Sequence, residues 1–341
     1  MEGGRMMRVL VVVLNWNGIA DTEECLAALA AQTYPHADVL VVDNGSHPDD
    51  VRRLRDRGEA IRLRLEPENL GFAGGVNVGI RLAQHDGYDA VALLNNDATP
   101  EPEWLAALVG ALEAHPEAAI ATGLLLRRSD DAASAGTIDT AGDGMSVWGM
   151  PFPQGRGEPR ETAPAAGAVF SASGGASLYR TALFDEIGLF DETFFAYFED
   201  VDMGFRTRLA GHAILFAPDA VAHHRIGATS SRIPGFTVRQ TFKNLPLLVV
   251  KNVPDGLRRV VWPRFVLLLT MMLAKAVATG SGRPALQGLA AAIRLMPRAV
   301  RERRRIQSAR VASAADIAAR MLHDLPPEQH GMRKLLRPFR R

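Results

Sequence analysis

The first hundred residues alternate between short apolar runs and amphipathic stretches. Residues 8–14 are a β-branched run that stops at Asn15-Trp16-Asn17-Gly18, a turn signal. Asp21 then predicts a helix start as N-cap, with Glu24 three residues on and Leu26, Leu29 and Ala30 as the apolar face. Residues 39–42 read as a second buried strand ending in Asp43-Asn44-Gly45-Ser46, residues 61–65 as a third, residues 73–84 as a helix and residues 90–94 as a fourth strand. Thr99-Pro100-Glu101 predicts the next helix, with a cap, a proline in first position and an acidic first turn. Strands separated by single helices imply an α/β fold with a Rossmann-like, mostly parallel sheet and helices on both faces.

The pattern changes downstream. Residues 129–164 are rich in Gly, Ala, Pro and Asp and read as a long loop with a hairpin, the kind of connection that carries function. Structure resumes over residues 169–179, followed by a helix over 198–209 and strands over 213–216 and 219–222. Composition shifts again near Pro234, which sets a boundary between residues 1–233 and a helical region, 234–341, punctuated by Pro246, Pro254, Pro263, Pro284 and Pro297.

Three predicted strands end in polar clusters: Asn15 and Asn17, Asp43 and Asn44, and Asn95, Asn96 and Asp97. In open α/β sheets ligands sit beyond the carboxyl ends of the strands, so these clusters share one edge. A carboxylate with amide neighbours, as in Asn95-Asn96-Asp97, can hold a hard cation that also takes phosphate oxygens, or can cap the following helix. Glu199-Asp200-Val201-Asp202 places three acids at a helix start, which alone suits the helix dipole. The apolar wall Phe194-Phe195-Ala196-Tyr197-Phe198 precedes them, however, and partial desolvation there would raise their basicity and suit a general base. His223 and His224 are adjacent on a strand and point to opposite faces, so at most one of them faces a site. Ser173-Gly174-Gly175-Ala176 allows backbone to approach a ligand. The glycine-rich stretch Asn69–Asn77 lacks both the G-x-G-x-x-G spacing and the Lys-Ser/Thr of a P-loop, which disfavours a nicotinamide dehydrogenase or a P-loop NTPase.

Composition narrows the classes. With 341 residues, 47% hydrophobic and 23% charged, the chain is globular. Only 6% of residues are aromatic, which argues against a stacking platform for single-stranded nucleic acid. The single cysteine, Cys25, reads as a buried thiol and excludes a disulfide framework. Charge is uneven: residues 298–341 carry 12 Lys and Arg against 4 Asp and Glu, a net of +8, leaving −7 on residues 1–297. Residues 9–14 are too short for a signal peptide, and the apolar run 265–274 stops at Lys275, short of the roughly 20 residues of a spanning helix, so none is expected. Arg258, Arg259, Trp262 and Arg264 flank that run, and Arg301, Arg303, Arg304 and Arg305 follow it. This arrangement predicts docking of the C-terminal region on a membrane surface, with packing against the body or a second subunit as the alternative.

Six pieces in order carry a resemblance: residues 11–18, V-x-x-x-N-x-N-G; 41–46, V-V-D-N-G-S; 69–77, N-x-G-F-A-G-G-x-N; 93–97, L-L-N-x-D; 188–202, G-x-F-D-E-x-F-F-x-Y-F-E-D-V-D; and 224–230, H-R-I-G-A-T-S. Over residues 8–232 the chain resembles family 2 inverting glycosyltransferases of GT-A fold, of the bacterial rhamnosyltransferase-like type. The resemblance implies a nucleotide-sugar half over about 1–127 and an acceptor half over about 165–233. It implies a nucleoside-diphosphate sugar donor held by Asn15, Asp43, Asn44, Asn69, Gly71, Asn77, Asn95, Asn96 and Asp97. Asp97 and His224 would hold Mg2+ or Mn2+, with Asn95 standing where the family's D-x-D motif has its first Asp. Asp200 would be the base and Glu199 would touch the acceptor, with Gly174, Gly175 and Asp202 beside it. The acceptor would be a glycan or lipid-linked glycan at the cytoplasmic face of the cell membrane. A nucleotidyltransferase is the enzymatic alternative, but residues 14–19 lack the basic residues its first turn would need. A nucleotide-sugar-binding protein without turnover is the other alternative, against which the intact Glu199-Asp200 pair argues.

Overall fold

The computed structural model describes residues 6–58, 61–129, 131, 134–225 and 233–326. Its first half runs β1 (Val9–Asn15), α1 (Ile19–Leu29), β2 (Ala37–Asn44), α2 (Pro48–Arg55), β3 (Arg62–Glu66), α3 (Gly71–His85), β4 (Ala90–Asn95), β5 (Ala98–Pro100), α4 (Trp104–Ala114) and β6 (Ala118–Arg127). It continues with β7 (Ile138–Thr140), β8 (Asp143–Met145), β9 (Pro151–Pro153), β10 (Gly167–Ala168), β11 (Ala176–Arg180), α5 (Thr181–Ile187), α6 (Glu199–Leu209) and β12 (Ala213–His224). Four helices follow: α7 (Phe236–Asn252), α8 (Arg258–Ala278), α9 (Gly282–Ser308) and α10 (Ala314–Ala319).

The main sheet has the order β10-β12-β6-β11-β4-β1-β2-β3. Its β4-β1-β2-β3 half is parallel, β12 and β6 are parallel, and β11 enters antiparallel between β6 and β4. The apolar runs are continuous because both faces are covered. Val9, Val11 and Val13 of β1 point into a core with Cys25, Leu26 and Leu29 of α1 and Trp104, Leu105 and Leu108 of α4. Leu10 and Val12 point the other way, onto Ala73, Val76 and Ile80 of α3 and Leu183 and Phe184 of α5. Cys25 is fully buried, as its apolar neighbourhood required.

Several local expectations fail for tertiary reasons. Helix α1 begins at Ile19 after Gly18, and Asp21 lies inside its first turn, where it accepts from Arg225. Thr99-Pro100 opens no helix: Ala98–Pro100 pairs antiparallel with β12, and α4 starts only at Trp104. The two strands expected over 213–222 are one strand, β12, with a register shift between Ala217 and Val221. Pro246, Pro263 and Pro297 lie inside α7, α8 and α9 rather than between helices. The loop over 129–164 does contain a hairpin, β8–β9, together with β7 on the edge of β6.

The C-terminal helices are not an appendage. A third core joins Phe194, Val201 and Phe205 around α6 with Leu245, Leu248 and Val249 of α7, Val261 and Phe265 of α8, and Ala299 and Ile306 of α9. Helix α8 also overturns one expectation. Counted with its flanks, Asp255–Ala278 has an 18-residue window of mean hydropathy 1.7 that is only 22% buried, so it is long and apolar enough to cross a membrane.

Candidate active site

The three polar strand ends do meet. Asn15 at the end of β1 is buried and donates through Nδ2 to Asp43 Oδ2 at 2.8 Å and Ser46 Oγ at 3.1 Å, while its Oδ1 accepts from Thr22 Oγ1 at 2.8 Å. Asp43 Oδ1 accepts from the Ser46 amide at 3.0 Å, which fixes the turn after β2. Asn96 bridges to α1 by donating to Thr22 Oγ1 at 3.0 Å.

At the end of β4, Asp97 Oδ1 lies 3.2 Å from His224 Nε2. The antiparallel pairing of Ala98 with His224 brings them together. Asn95 Nδ2 is 3.3 Å from the same ring nitrogen. The other nitrogen, Nδ1, meets Asp139 Oδ2 at 2.8 Å, and Asp139 is tied to Arg156 at 3.0 Å. Burial opposes a charged His224, but the hydrogen bonds to Asp139 and Asp97 prevail and raise its pKa to about 9. His223 faces the other way, onto Glu101.

Asp200 stands across a two-glycine turn from this cluster. Its Oδ2 accepts from the Gly174 amide at 3.0 Å and its Oδ1 from Val201 N at 2.8 Å. The Gly175 carbonyl accepts from the Asn95 amide at 2.9 Å, so Gly174 and Gly175 connect Asp200 to the Asp97–His224 side. A β-carbon on Gly175 would come 3.2 Å from Asn95 Nδ2, so the turn needs small residues. Burial raises the pKa of Asp200 against the lowering effect of its backbone donors. Glu199 is 5% exposed, its Oε2 makes no hydrogen bond among the described residues, and burial followed by the neighbouring Asp200 charge raises its pKa well above the carboxylate range.

Five expected site residues are committed elsewhere. Asp202 is fully buried, accepts from Arg206 Nε at 2.9 Å and Asn252 Nδ2 at 2.8 Å, and lies 3.0 Å from Lys251 Nζ. It anchors α6 to α7 and has no surface for an acceptor. Asn77 is buried and clamps Phe190 through both its N–H and C=O, so its amide is not free for a donor. Gly71 and Asn69 shape the entry to α3: Asn69 Oδ1 accepts from Asn44 Nδ2 and from the Gly71 amide, and Gly71 (φ +72) lies where a β-carbon would meet Phe195 O at 2.4 Å. Asn44 is spent on that same loop, donating to Gly71 O at 3.0 Å and accepting from Leu70 N at 2.9 Å. Residues 226–230 of the His224 motif lie outside the described residues.

Two carboxylates at the site come from the loop over 129–164 and had no signal in the sequence. Asp139 orients His224. Asp143 is held by a backbone pairing with Ser171 and by Thr140 Oγ1, and burial together with the Asp200 charge pushes it up to about 8. Ser171 Oγ in turn donates to Asp200 O at 3.1 Å, which links Asp143 to Asp200 through one residue.

Comparison with known proteins decides the family. Residues 10–188 match the profile of glycosyl transferase family 2. The chain belongs to glycosyl transferase family 2. Within it, the chain is 30% identical over 241 residues to the N-acetylglucosaminyl-diphospho-decaprenol L-rhamnosyltransferase of Mycobacterium tuberculosis, covering 64% of this chain and 76% of that one. Its fold matches a mannosyltransferase from Pyrobaculum calidifontis solved with GDP-Man and Mn2+, at a TM-score of 0.53 and 20% identity, over 93% of this chain and 87% of that one. It also matches GalNAc-T7 solved with UDP, GalNAc and Mn2+, at a TM-score of 0.59 and 14% identity, over 74% of this chain; the match spans 49% of that protein's length. The family 2 chain therefore has the GT-A fold expected from its sequence and is a glycosyltransferase, which sets the nucleotidyltransferase alternative aside.

Proposed function

We propose that this glycosyltransferase moves a hexose, with rhamnose the first candidate, from a nucleoside-diphosphate donor to a hydroxyl of a lipid-linked glycan, inverting the anomeric centre in one displacement. The observation that carries this reading is the continuous line Asp200, Gly174-Gly175, Asn95, His224, Asp97: a carboxylate base on one side and a cation-type donor pair on the other. The donor set fits a hard divalent cation, whose binding would displace the proton that His224 otherwise shares with Asp97. One carboxylate and one imidazole lie 3.2 Å apart, with Asp139 orienting the imidazole from behind. Among the described residues no three His, Cys, Asp or Glu side chains are arranged to hold a metal ion, so phosphate oxygens and water would have to complete the coordination of Mg2+ or Mn2+. Bound there, the cation would neutralise charge developing on the departing diphosphate. Asp200, held by two backbone donors and raised in basicity by burial, would take the proton of the attacking hydroxyl. Glu199 beside it is buried with one oxygen unpartnered among the described residues, and would act on the acceptor only through the environment of Asp200. The rhamnose and lipid-diphosphate assignments rest on the mycobacterial relative, whose name specifies both.

The test is a panel of nucleoside-diphosphate sugars, including a rhamnose donor, titrated with and without Mn2+ on wild type and Asp97→Ala, with turnover followed on an N-acetylglucosaminyl-diphospho-polyprenol. One donor should bind only with the cation, and Asp97→Ala should abolish that dependence. Equal affinity without the cation would overturn the metal assignment.

The same reading puts the enzyme on the inner face of the membrane. Helix α8 packs one face, Val261, Phe265, Leu268 and Ala276, on protein, which favours lying on the bilayer over crossing it. Its other side exposes Val266 and Leu267, and α9 exposes Ile293 and Val300 beside Arg301 and Arg304. Apolar surface rimmed by arginine matches an anionic lipid surface in charge. Wild type should float with anionic vesicles at low salt, and Leu267→Glu with Ile293→Glu should not. Failure of wild type to float would assign this face to protein packing.

A further inference from the structure

The segment that leads into Glu199-Asp200 has an unusual backbone. Phe195, Tyr197 and Phe198 have φ of 63°, 70° and 71°, three of the four non-glycine residues with positive φ among the described residues. Aromatic side chains persist in this region only where the surroundings over-determine them. Here the surroundings include two helices that both hold the segment by hydrogen bonds.

One grip is α3, where the Ala73 amide donates to Phe195 O at 3.2 Å over the bare Gly71. The other is α7, which lies beyond the segment matched by the family profile. Asn244 is fully buried, and its side-chain NH2 donates to three carbonyls: Phe194 O at 2.9 Å, Ala196 O at 2.9 Å and Tyr197 O at 2.7 Å. Gln240 Nε2 reaches Phe194 O at 3.1 Å and Ala196 O at 3.3 Å. Lys243 Nζ reaches Thr193 O at 3.0 Å and Phe194 O at 3.1 Å. Positions 240, 243 and 244 share one helix face. These three polar side chains are all buried, and their donors meet the carbonyls of Thr193, Phe194, Ala196 and Tyr197 in and beside the positive-φ segment. Phe198, the last residue of the segment, is the N-cap of α6, so its conformation sets the direction in which Glu199 and Asp200 enter the site.

We propose that Asn244, assisted by Gln240 and Lys243, is a positioning residue for Asp200: α7 completes the active site by holding the positive-φ turn that aims the base. The proposal rests on Asp200 being the base, and the experiment separates the two. Asn244→Ala should lower kcat per donor-titrated site by about tenfold or more, since small misplacements of a catalytic group are that costly. Donor Kd should stay within about twofold, because the donor side is built on β1, β2 and β4, and the acid limb of the pH–rate profile should move. Asn244→Asp, nearly the same shape but without donors, should be at least as slow. Acting through Asp200, Asn244→Ala should add nothing to the loss already caused by Asp200→Asn in the double variant. Should Asn244→Ala not fold, Gln240→Ala removes two of the same contacts and should still slow kcat and shift the limb. A kcat within about twofold of wild type with an unmoved limb in the variants that fold, or losses that multiply in the double variant, would overturn the proposal. An Asp200→Asn enzyme at wild-type rate would instead overturn the base assignment, whatever Asn244 does.

Discussion

Replacing Asp202 by Asn should cost stability and leave the chemistry intact, the reverse of the same change two residues earlier. Asp202 is completely buried and accepts from Arg206, Asn252 and Lys251. An Asn of equal shape keeps one acceptor and turns an NH2 toward the cations. Removing one side of a buried ion pair costs about 3–5 kcal/mol. The lower end applies here, because both cations keep other partners. Lys251 retains Asp191 at 2.6 Å, and Arg206 retains the carbonyls of Ile187, Gly188 and Leu189. With an unfolding entropy of about 2.1 cal/mol/K per residue over 341 residues, 3 kcal/mol corresponds to a Tm lower by about 4 °C.

The pH dependence follows in sign. Burial opposes the Asp202 charge, but Lys251 and then Arg206 outweigh it, so its carboxyl titrates below the ordinary range in the folded protein. Its contribution is therefore full above the unfolded pKa and is lost as pH falls through the folded one, so wild type and variant should converge in acid. The assay is a thermal melt at neutral and acidic pH beside kcat per donor-titrated site. A Tm unchanged at neutral pH, or a folded variant whose per-site kcat falls by about 10²-fold or more, would refute the structural role and return Asp202 to the chemistry.

Asp200→Asn should fold normally, bind donor with unchanged Kd and lose about 10²–10⁴-fold in transfer rate, measured with saturating acceptor. Asp143, pushed up to about 8, stays protonated in the folded protein where an unfolded chain would ionise, so this group makes stability fall as pH rises from about 4 to 8. Asp143→Asn should accordingly gain Tm relative to wild type at pH 8 and not at pH 4, read in metal-free buffer; an unchanged difference would refute the upward shift that burial and then the Asp200 charge give Asp143. Cys25 is fully buried, with its thiol pKa raised by burial and by Asp97, so an aromatic disulfide reagent should label it only at the rate of unfolding.

The parts of this molecule that could be read from the sequence are those set by local pattern. Strands β1, β2 and β4 are covered on both faces, so they read as unbroken apolar runs, and their polar ends announce the site edge. Local pattern also misled where a distant strand overrode it: Thr99-Pro100-Glu101 has every mark of a helix start, yet β12, some 120 residues on, takes Ala98–Pro100 as its edge partner. The loop over 129–164 has no periodicity, so nothing marked Asp139 or Asp143 as different from the other acids there. Asp139 acquires its role only when folding brings it to His224, 85 residues away.

The acidic run 199–202 is the sharpest case. Three carboxylates in four residues are equivalent to a reader of the chain, and helix geometry alone spreads them around α6. What sorts them is α7. Lys251 neutralises Asp202 and Asn252 donates to it, the backbone of Gly174 takes Asp200, and Glu199 is left buried with an oxygen unpartnered among the described residues. That sorting had one trace in the sequence: Gln240, Lys243, Asn244, Lys251 and Asn252 recur at helical spacing through an otherwise apolar stretch containing Leu245, Leu247, Leu248 and Val249. Buried polar residues on a helix need partners elsewhere in the fold. Here those partners are the loop over 193–197 and Asp202, so the boundary drawn at Pro234 follows composition while the core around α6 runs across it.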